Sequence, residues 1–326
     1  VEEKKIRRIG ILTSGGDAPG MNAVIRAVVR MSIAKGIEVL GIQRGYSGLI
    51  GNDFRPMNAR SVDGLLSRGG TILYTARCME MFEVEGQKRA ADNCHYLGID
   101  GLICVGGDGT FRGAQTLSRL DVPCICIPAT IDNDIACTDY TIGFDSACNT
   151  AVSAIDKLRD TMQSHERCSV VEVMGRRAGH LALNVGCSVG AAAILVPEKP
   201  ENFEDDVVEK IRQGRINGRN HHIIIVAEGY GMSCQDVATR VHEETGVDVR
   251  VTILGHVQRG GAPTSQDRVM ATRMGSAAIN ALLAGKSQRI IALRDNQIVD
   301  LDIEEGLSCQ KELNYELLAA EQMMAI

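Results

Sequence analysis

The chain has 326 residues, of which 44% are apolar and 23% charged, and it carries a net charge of −6. That length supplies core for two domains or one large α/β unit, and the charge balance excludes a general nucleic-acid binder, which needs a broad basic face. No apolar run approaches the roughly 20 residues that span a bilayer, so the expectation is a cytoplasmic protein with no membrane segment.

In chain order, a strand is predicted at Ile9–Thr13, a helix at Met21–Ala34 and a strand at Glu38–Ile42. Strands at Leu102–Val105 and Pro123–Ile127 precede a helix at Asp145–Thr161. A strand at Ser169–Val173, a helix at Arg177–Ser188 and a strand at Ala193–Val196 follow. Beyond these come a helix at Phe203–Asn217, a strand at His222–Ala227, a helix at Cys234–Glu244 and a strand at Arg250–Leu254. A long helix at Ser265–Leu283, a strand at Ile290–Leu293 and a terminal helix over Ser308–Ala325 complete the series. Apolar strands alternating with helices indicate α/β architecture with mostly parallel sheets covered on both faces. In such sheets ligands bind beyond the carboxyl ends of strands. No Pro- or Ser-rich linker separates the halves, so a two-domain division requires the chain to cross more than once. The eleven cysteines form no C-x-x-C pair. Zinc spacing is therefore absent, and the pattern predicts reduced thiols packed as small hydrophobes.

Two segments carry the chemistry. Gly106-Gly107-Asp108-Gly109-Thr110 follows an apolar strand and offers a glycine-lined backbone with one carboxylate, which suits a Mg-nucleotide; an Asp helix cap is the plain alternative. Thr130-Ile131-Asp132-Asn133-Asp134 offers two carboxylates two residues apart, which suits proton removal from a hydroxyl; an Asx-rich turn is its alternative. A third segment, Ser14-Gly15-Gly16-Asp17-Ala18-Pro19-Gly20, joins the first strand to its helix, where glycine backbone and helix N-terminus favour phosphate. It is neither a Walker A loop nor a G-x-G-x-x-G turn, and taken alone it reads as a plain tight turn. Cationic residues then fall in turn-like places at Arg77, Arg167, Met174-Gly175-Arg176 and Gly255-His256-Val257-Gln258-Arg259-Gly260-Gly261, as several anionic groups on two substrates require. Glu228 ends an apolar strand and could accept hydrogen bonds from sugar hydroxyls.

The ordered set Ile11–Asn22, Gly106–Thr110, Thr130–Asp134, Val173–Arg176 and Gly255–Gly261 resembles the bacterial 6-phosphofructokinases, in register from about Ile6 to Gly285. The resemblance implies two packed three-layer domains with mostly parallel sheets. The larger, nucleotide-binding domain is expected at 1–143 plus 258–307, and the smaller, sugar-phosphate-binding domain at 144–257 plus 308–326. It also implies transfer of the γ-phosphoryl group of Mg-ATP to the 1-hydroxyl of fructose 6-phosphate in glycolysis. Asp132 is then expected as the general base, with Thr130 and Asp134 in the same site and Arg77 and Arg176 stabilising the transferring group. Met174, Gly175, Arg176, Glu228, His256 and Arg259 are expected at the sugar phosphate. Gly16, Tyr46, Arg77, Cys78, Gly107, Asp108, Gly109 and Thr110 are expected around ATP, with Asp108 on magnesium. Arg167 and Arg250 match arginines that reach the 6-phosphate from a neighbouring subunit, which implies a homotetramer. Pyrophosphate-using relatives carry an Asp where this chain has Gly109 and a Lys where it has Ala129, so ATP is the expected donor.

The pattern breaks at the family's effector site for ADP and phosphoenolpyruvate. Arg26, Arg30, Arg159, Arg219 and His221 match its cations, but Ala59 and Asn217 replace an arginine and a lysine, and Ala192 replaces a carboxylate. Weakened allostery is the expectation, with Arg60 as a substitute cation the rival. The competing functions are a pyrophosphate-dependent phosphofructokinase, a lipid or NAD kinase sharing the Gly106–Thr110 turn, and a non-catalytic sugar-phosphate sensor. Cys78, beside Arg77, is an expected oxidation-sensitive point.

Overall fold

A computed structural model describes residues 6–199 and 202–325; the outermost residues of the expected domain bounds, 1–5 and 326, lie outside these. The strands are β1 (Arg8–Thr13), β2 (Glu38–Ile42), β3 (Phe54–Met57), β4 (Gly101–Gly106), β5 (Cys124–Pro128), β6 (Cys168–Val173), β7 (Ala193–Leu195), β8 (His222–Ala227), β9 (Val249–Ile253), β10 (Arg289–Arg294) and β11 (Gln297–Asp302). They form a seven-stranded sheet, in the order β11-β10-β5-β4-β1-β2-β3, and a four-stranded sheet, in the order β7-β8-β6-β9. The small sheet is parallel throughout. The large sheet is parallel except at its two edges, where β3 and β11 run antiparallel to their neighbours.

The chain divides into two compact units. The first comprises Val1–Ile131, Ile135–Ser146 and Arg259–Lys311, and the second Asp132–Asp134, Ala147–Gln258 and Glu312–Ile326. Each holds one sheet.

In the first unit the near-continuous apolar strands are buried on both faces, as parallel crossovers require. Leu12, Leu102, Cys104, Cys124 and Cys126 join one cluster with Tyr46, Leu49, Cys94 and Phe111 from covering helices. Gly101 faces the other way, onto Leu282 of helix Ser265–Leu283. That helix packs on Met21–Ala34 at a point where Gly275 sits against Ala27. In the second unit Cys168, Val170, Leu195, Ile224 and Val226 form a core with Phe203, Val207, Val237 and Val241. All eleven cysteines are free thiols and seven are buried. Desolvation pushes Cys94 and Cys168 up to about 12, so these thiols pack as small hydrophobes and stay protonated.

Three local expectations are corrected. The terminal helix is not continuous over Ser308–Ala325: one helix ends at Ser308, and another runs from Tyr315 to Met324. Cys309 turns extended and Asn314 restarts the helix by accepting the Leu317 N–H at 2.9 Å, a side-chain cap. The helix expected from Arg177 begins at His180, because residues before it belong to the turn after β6. Strands β3 and β11 and helices Tyr46–Ile50, Val84–Tyr96 and Asp108–Ser118 add to the predicted series.

Candidate active site

In the large sheet the connection from β1 goes outward to β2, and that from β4 goes the opposite way to β5. The crevice at such a reversal, outside the carboxyl ends, is where this class of sheet binds ligands. The glycine turns after β1 and β4 flank it. They are locked together: Ser14 N–H donates to the Val105 carbonyl at 3.0 Å, and Thr110 Oγ1 donates to the Ser14 carbonyl at 3.2 Å. A Cβ on Gly106 would stand 2.4 Å from both the Ser14 oxygen and Thr110 Oγ1, so only glycine permits this approach. Gly107 and Gly109 differ. No atom lies within 4 Å of either Cβ position, and Gly109 is exposed, so their backbone faces open space at the N-terminus of helix Asp108–Ser118. Asp108 is the first residue of that helix and is exposed. Among the described residues no group of three or more His, Cys, Asp or Glu could hold a metal ion. A lone carboxylate beside a phosphate cradle fits magnesium, which takes one or two carboxylates plus phosphate oxygens and water.

Tyr46 is buried and its hydroxyl donates to the Thr110 carbonyl at 2.6 Å, so it supports the turn from below. Burial raises its pKa well above the usual phenol range. Gly16 is exposed, with the Arg259 guanidinium 2.7 Å from its Cβ position, and Arg259 Nη1 donates to the Asp17 carbonyl at 3.1 Å. The Arg259 guanidinium thus lies against the first glycine turn. Arg77 is exposed, and Cys78 is half-buried against the core cluster.

The second unit carries the carboxylates. Asp132 is 1% exposed, on a loop whose next residue, Asn133, has φ 49°. Arg176 Nε stands 3.9 Å from Asp132 Oδ2, and the arginine side chain is 66% exposed, so the guanidinium links a buried carboxylate to solvent. Arg176 itself is left-handed at φ 55°, after Gly175 at φ 140°. Non-glycine residues in this region are costly and cluster at functional sites. Two neighbours hold the strained turn: Arg176 N–H donates to Glu228 Oε2 at 3.1 Å, and Met174 N–H to Gln258 Oε1 at 3.3 Å. Glu228 follows β8, Met174–Arg176 follow β6, and exposed His256 follows β9, so all lie at one carboxyl edge of the small sheet. Asp134 is half-buried. In the first unit, half-buried Thr130 accepts at its carbonyl the Thr141 hydroxyl, 2.6 Å away.

Two residues in this arrangement escaped sequence reasoning. Gln258 is fully buried, and its Nε2 also donates to the Gly255 carbonyl at 3.0 Å, pinning the turn after β9 to Met174. Gly229 lies where a Cβ would meet the Arg176 carbonyl oxygen at 2.2 Å. A glutamine between His and Arg, and a glycine after a strand-end glutamate, give no signal of such contacts.

Arg167 and Arg250 are brought together, but at the opposite edge of the small sheet, beside the amino ends of β6 and β9. One carboxylate holds both: Arg167 Nε donates to Asp248 Oδ2 at 2.7 Å and Arg250 Nη1 to Asp248 Oδ1 at 2.9 Å. Arg159, Arg219 and His221 also gather there. Burial, then Arg159 and Arg219, lower the His221 pKa, and Arg159 is tied to the Val189 carbonyl. Ala192 is buried, its N–H donating to the Ile223 carbonyl at 2.7 Å. Arg26 and Arg30 lie one turn apart on helix Met21–Ala34 of the first unit, with Arg30 3.5 Å from Asp63. Ala59, Arg60 and Asn217 are exposed.

A model of the family described as phosphofructokinase matches residues 8–282. An ATP-dependent 6-phosphofructokinase of Clostridium botulinum (strain Alaska E43 / Type E3) is 51% identical over 320 residues, which cover 98% of this chain and 100% of the relative. A solved phosphofructokinase structure from Saccharomyces cerevisiae has a TM-score of 0.89 at 36% identity, and this chain spans 98% of its own length but 48% of that chain. A pyrophosphate-dependent phosphofructokinase structure from Marinobacter aquaeolei has a TM-score of 0.84 at 22% identity, covering 95% of this chain and 86% of the other, and shows likeness of fold alone.

Proposed function

The chain belongs to the phosphofructokinase family, and we propose that it transfers the γ-phosphoryl group of ATP to the 1-hydroxyl of fructose 6-phosphate, giving fructose 1,6-bisphosphate and ADP. It is a phosphotransferase of glycolysis acting on an alcohol, with ATP as co-substrate, and it works in the cytoplasm. The observation that carries the reading is the pairing of buried Asp132 with solvent-exposed Arg176, 3.9 Å apart. Attack on a phosphorus needs a base on the hydroxyl and positive charge on the transferring oxygens. Asp132 takes the proton; Arg176 and Arg77 balance the developing charge, an electrostatic role that is commonly the largest single contribution. Glu228 and the Gly175–Arg176 backbone, held rigid by each other, orient the sugar, with His256 at the same edge. Thr130 and Asp134 line the acceptor's loop.

On the donor side Gly16, Gly107 and Gly109 present backbone to the phosphates, while Tyr46 and Thr110 fix the turns. Asp108 would hold magnesium, which would neutralise charge on the phosphate oxygens. Gly109, with nothing around its Cβ position, leaves room for a nucleotide α-phosphate, and Ala129 is buried at 1% exposure, with no amine to anchor pyrophosphate. Turnover is therefore expected with Mg-ATP and not with Mg-pyrophosphate in an assay for fructose 1,6-bisphosphate. Asp132→Ala should lower kcat by roughly 10²-fold or more, as for a lost general base. Turnover with pyrophosphate would overturn the donor assignment, and an unimpaired Asp132→Ala would overturn the base.

The effector cluster supports a weakened response. Ala192 offers no carboxylate for an effector-bound metal, and exposed Ala59 and Asn217 bring no charge. Fructose 6-phosphate saturation curves are expected to shift little with ADP or phosphoenolpyruvate; strong activation by the first with strong inhibition by the second would defeat this.

A further inference from the structure

Four of the eleven thiols are not buried, and one of them, Cys309, stands beside a cation and close to a second thiol. It is half-buried at the end of helix Ile303–Ser308, and its Sγ donates to the Glu305 carbonyl at 3.4 Å. Arg294 Nη2 donates to the same sulfur at 3.7 Å, and Arg294 Nε to the Cys137 carbonyl at 3.1 Å, so one guanidinium clasps both residues. Cys137 Sγ lies 3.3 Å from the point where a Cβ on Gly306 would stand. Positions three apart share a helix face with Cβ atoms about 5–6 Å apart, so Gly306 and Cys309 face the same way. Ile290 Cδ1 approaches the same point at 2.6 Å, so a side chain at Gly306 would press on both Ile290 and the Cys137 sulfur. Both cysteines pack on one apolar cluster of the first unit.

We infer that Cys137 and Cys309 are a dithiol pair that closes to a disulfide under peroxide, Cys309 being oxidised first. The Cys309 sulfur attacks hydrogen peroxide, the O–O bond breaks, and a sulfenic acid and one water form. The Cys137 sulfur then attacks the Cys309 sulfenic sulfur, the S–O bond breaks and a second water leaves, giving the disulfide. In total the dithiol loses two protons and two electrons, and the peroxide takes them up to become two waters. Arg294 supplies positive charge at the sulfur where this begins, the setting that favours reactive cysteines. Cys137 is the resolving partner: burial pushes its thiol up to about 11, so it waits for the electrophile.

The test is a peptide map of the full chain, reduced, treated with graded hydrogen peroxide, alkylated and digested without reductant. A linked Cys137–Cys309 peptide should appear, two hydrogens lighter than the separate thiols and reversed by dithiothreitol. It should vanish in Cys309→Ser and form more slowly in Arg294→Gln. Progression of Cys309 to sulfinic acid without linkage, or unchanged linkage of Cys137 in Cys309→Ser, would overturn the assignment. The readout is independent of turnover, so it stands or falls apart from the kinase reading.

Discussion

At the scale of single residues, the candidate acceptor site rests on backbone that only particular side chains permit. Arg176 is left-handed, and its carbonyl oxygen points into the space above Gly229. A methyl group there would stand 2.2 Å from that oxygen, a distance real Cβ contacts do not show, so the turn must move. Because Arg176 carries the cation facing Asp132, the displacement reaches the reacting groups. Misplacement of catalytic groups by about 1 Å can cost on the order of a hundredfold in rate. Gly229→Ala is therefore expected to lower kcat by roughly 10- to 100-fold. Gly231→Ala, where no atom lies within 4 Å, should leave steady-state kinetics near wild type. Equal kinetics for the two variants would show that the close approach does not position Arg176.

At the scale of elements, the parallel core strands were legible and the edges were not. Val39–Ile42 and Ile223–Ala227 are largely apolar and buried runs, the signature of strands covered on both faces, and β2 and β8 stand where the pattern put them. β3 contains Pro56 and has two exposed residues, while β11 is polar and half-buried, as suits edges that lack one neighbour. The glycine turns and Thr130–Asp134 were readable because their residue types are unusual after strands. Gln258 and Gly229 were hidden because their contacts join residues distant in sequence.

The first residue of β8 supports a prediction at this scale. His222 is 2% exposed and neither ring nitrogen has a hydrogen-bond partner. Burial, with Arg219, His221 and Arg215 nearby, lowers its pKa to about 4. Between pH 6.5 and 4 the unfolded chain binds a proton at this site that the folded chain does not, so stability rises with pH across that window and falls on acidification. The loss is of order 3 kcal/mol over the window. Urea midpoints against pH should show that slope reduced in His222→Leu; parallel curves would exclude His222 as its source.

At the scale of the whole molecule, the two edges of the small sheet cannot serve one site within one chain. Met174–Arg176, Glu228 and His256 sit at the carboxyl ends of β6, β8 and β9, whereas Arg167 and Arg250 share Asp248 at the amino ends. Strands of five and six residues separate these edges, and at about 3.3 Å per residue the gap is roughly 15–20 Å, beyond the reach of one sugar phosphate. If both sets bind the same substrate, the second must come from another copy, which is the physical content of the homotetramer that the family resemblance implies. Closed symmetric assemblies repeat such a shared site around the oligomer. Asp132→Ala and Arg250→Ala chains, each nearly inactive alone, should then complement each other when unfolded together and refolded as mixed oligomers. With equal amounts and random assembly, about a quarter of the sites receive Asp132 from one copy and Arg250 from the other, and activity should recover to about that fraction. Sites complete within one chain gain nothing from mixing, so activity no higher than the average of the separate variants would place Arg250 outside the shared site.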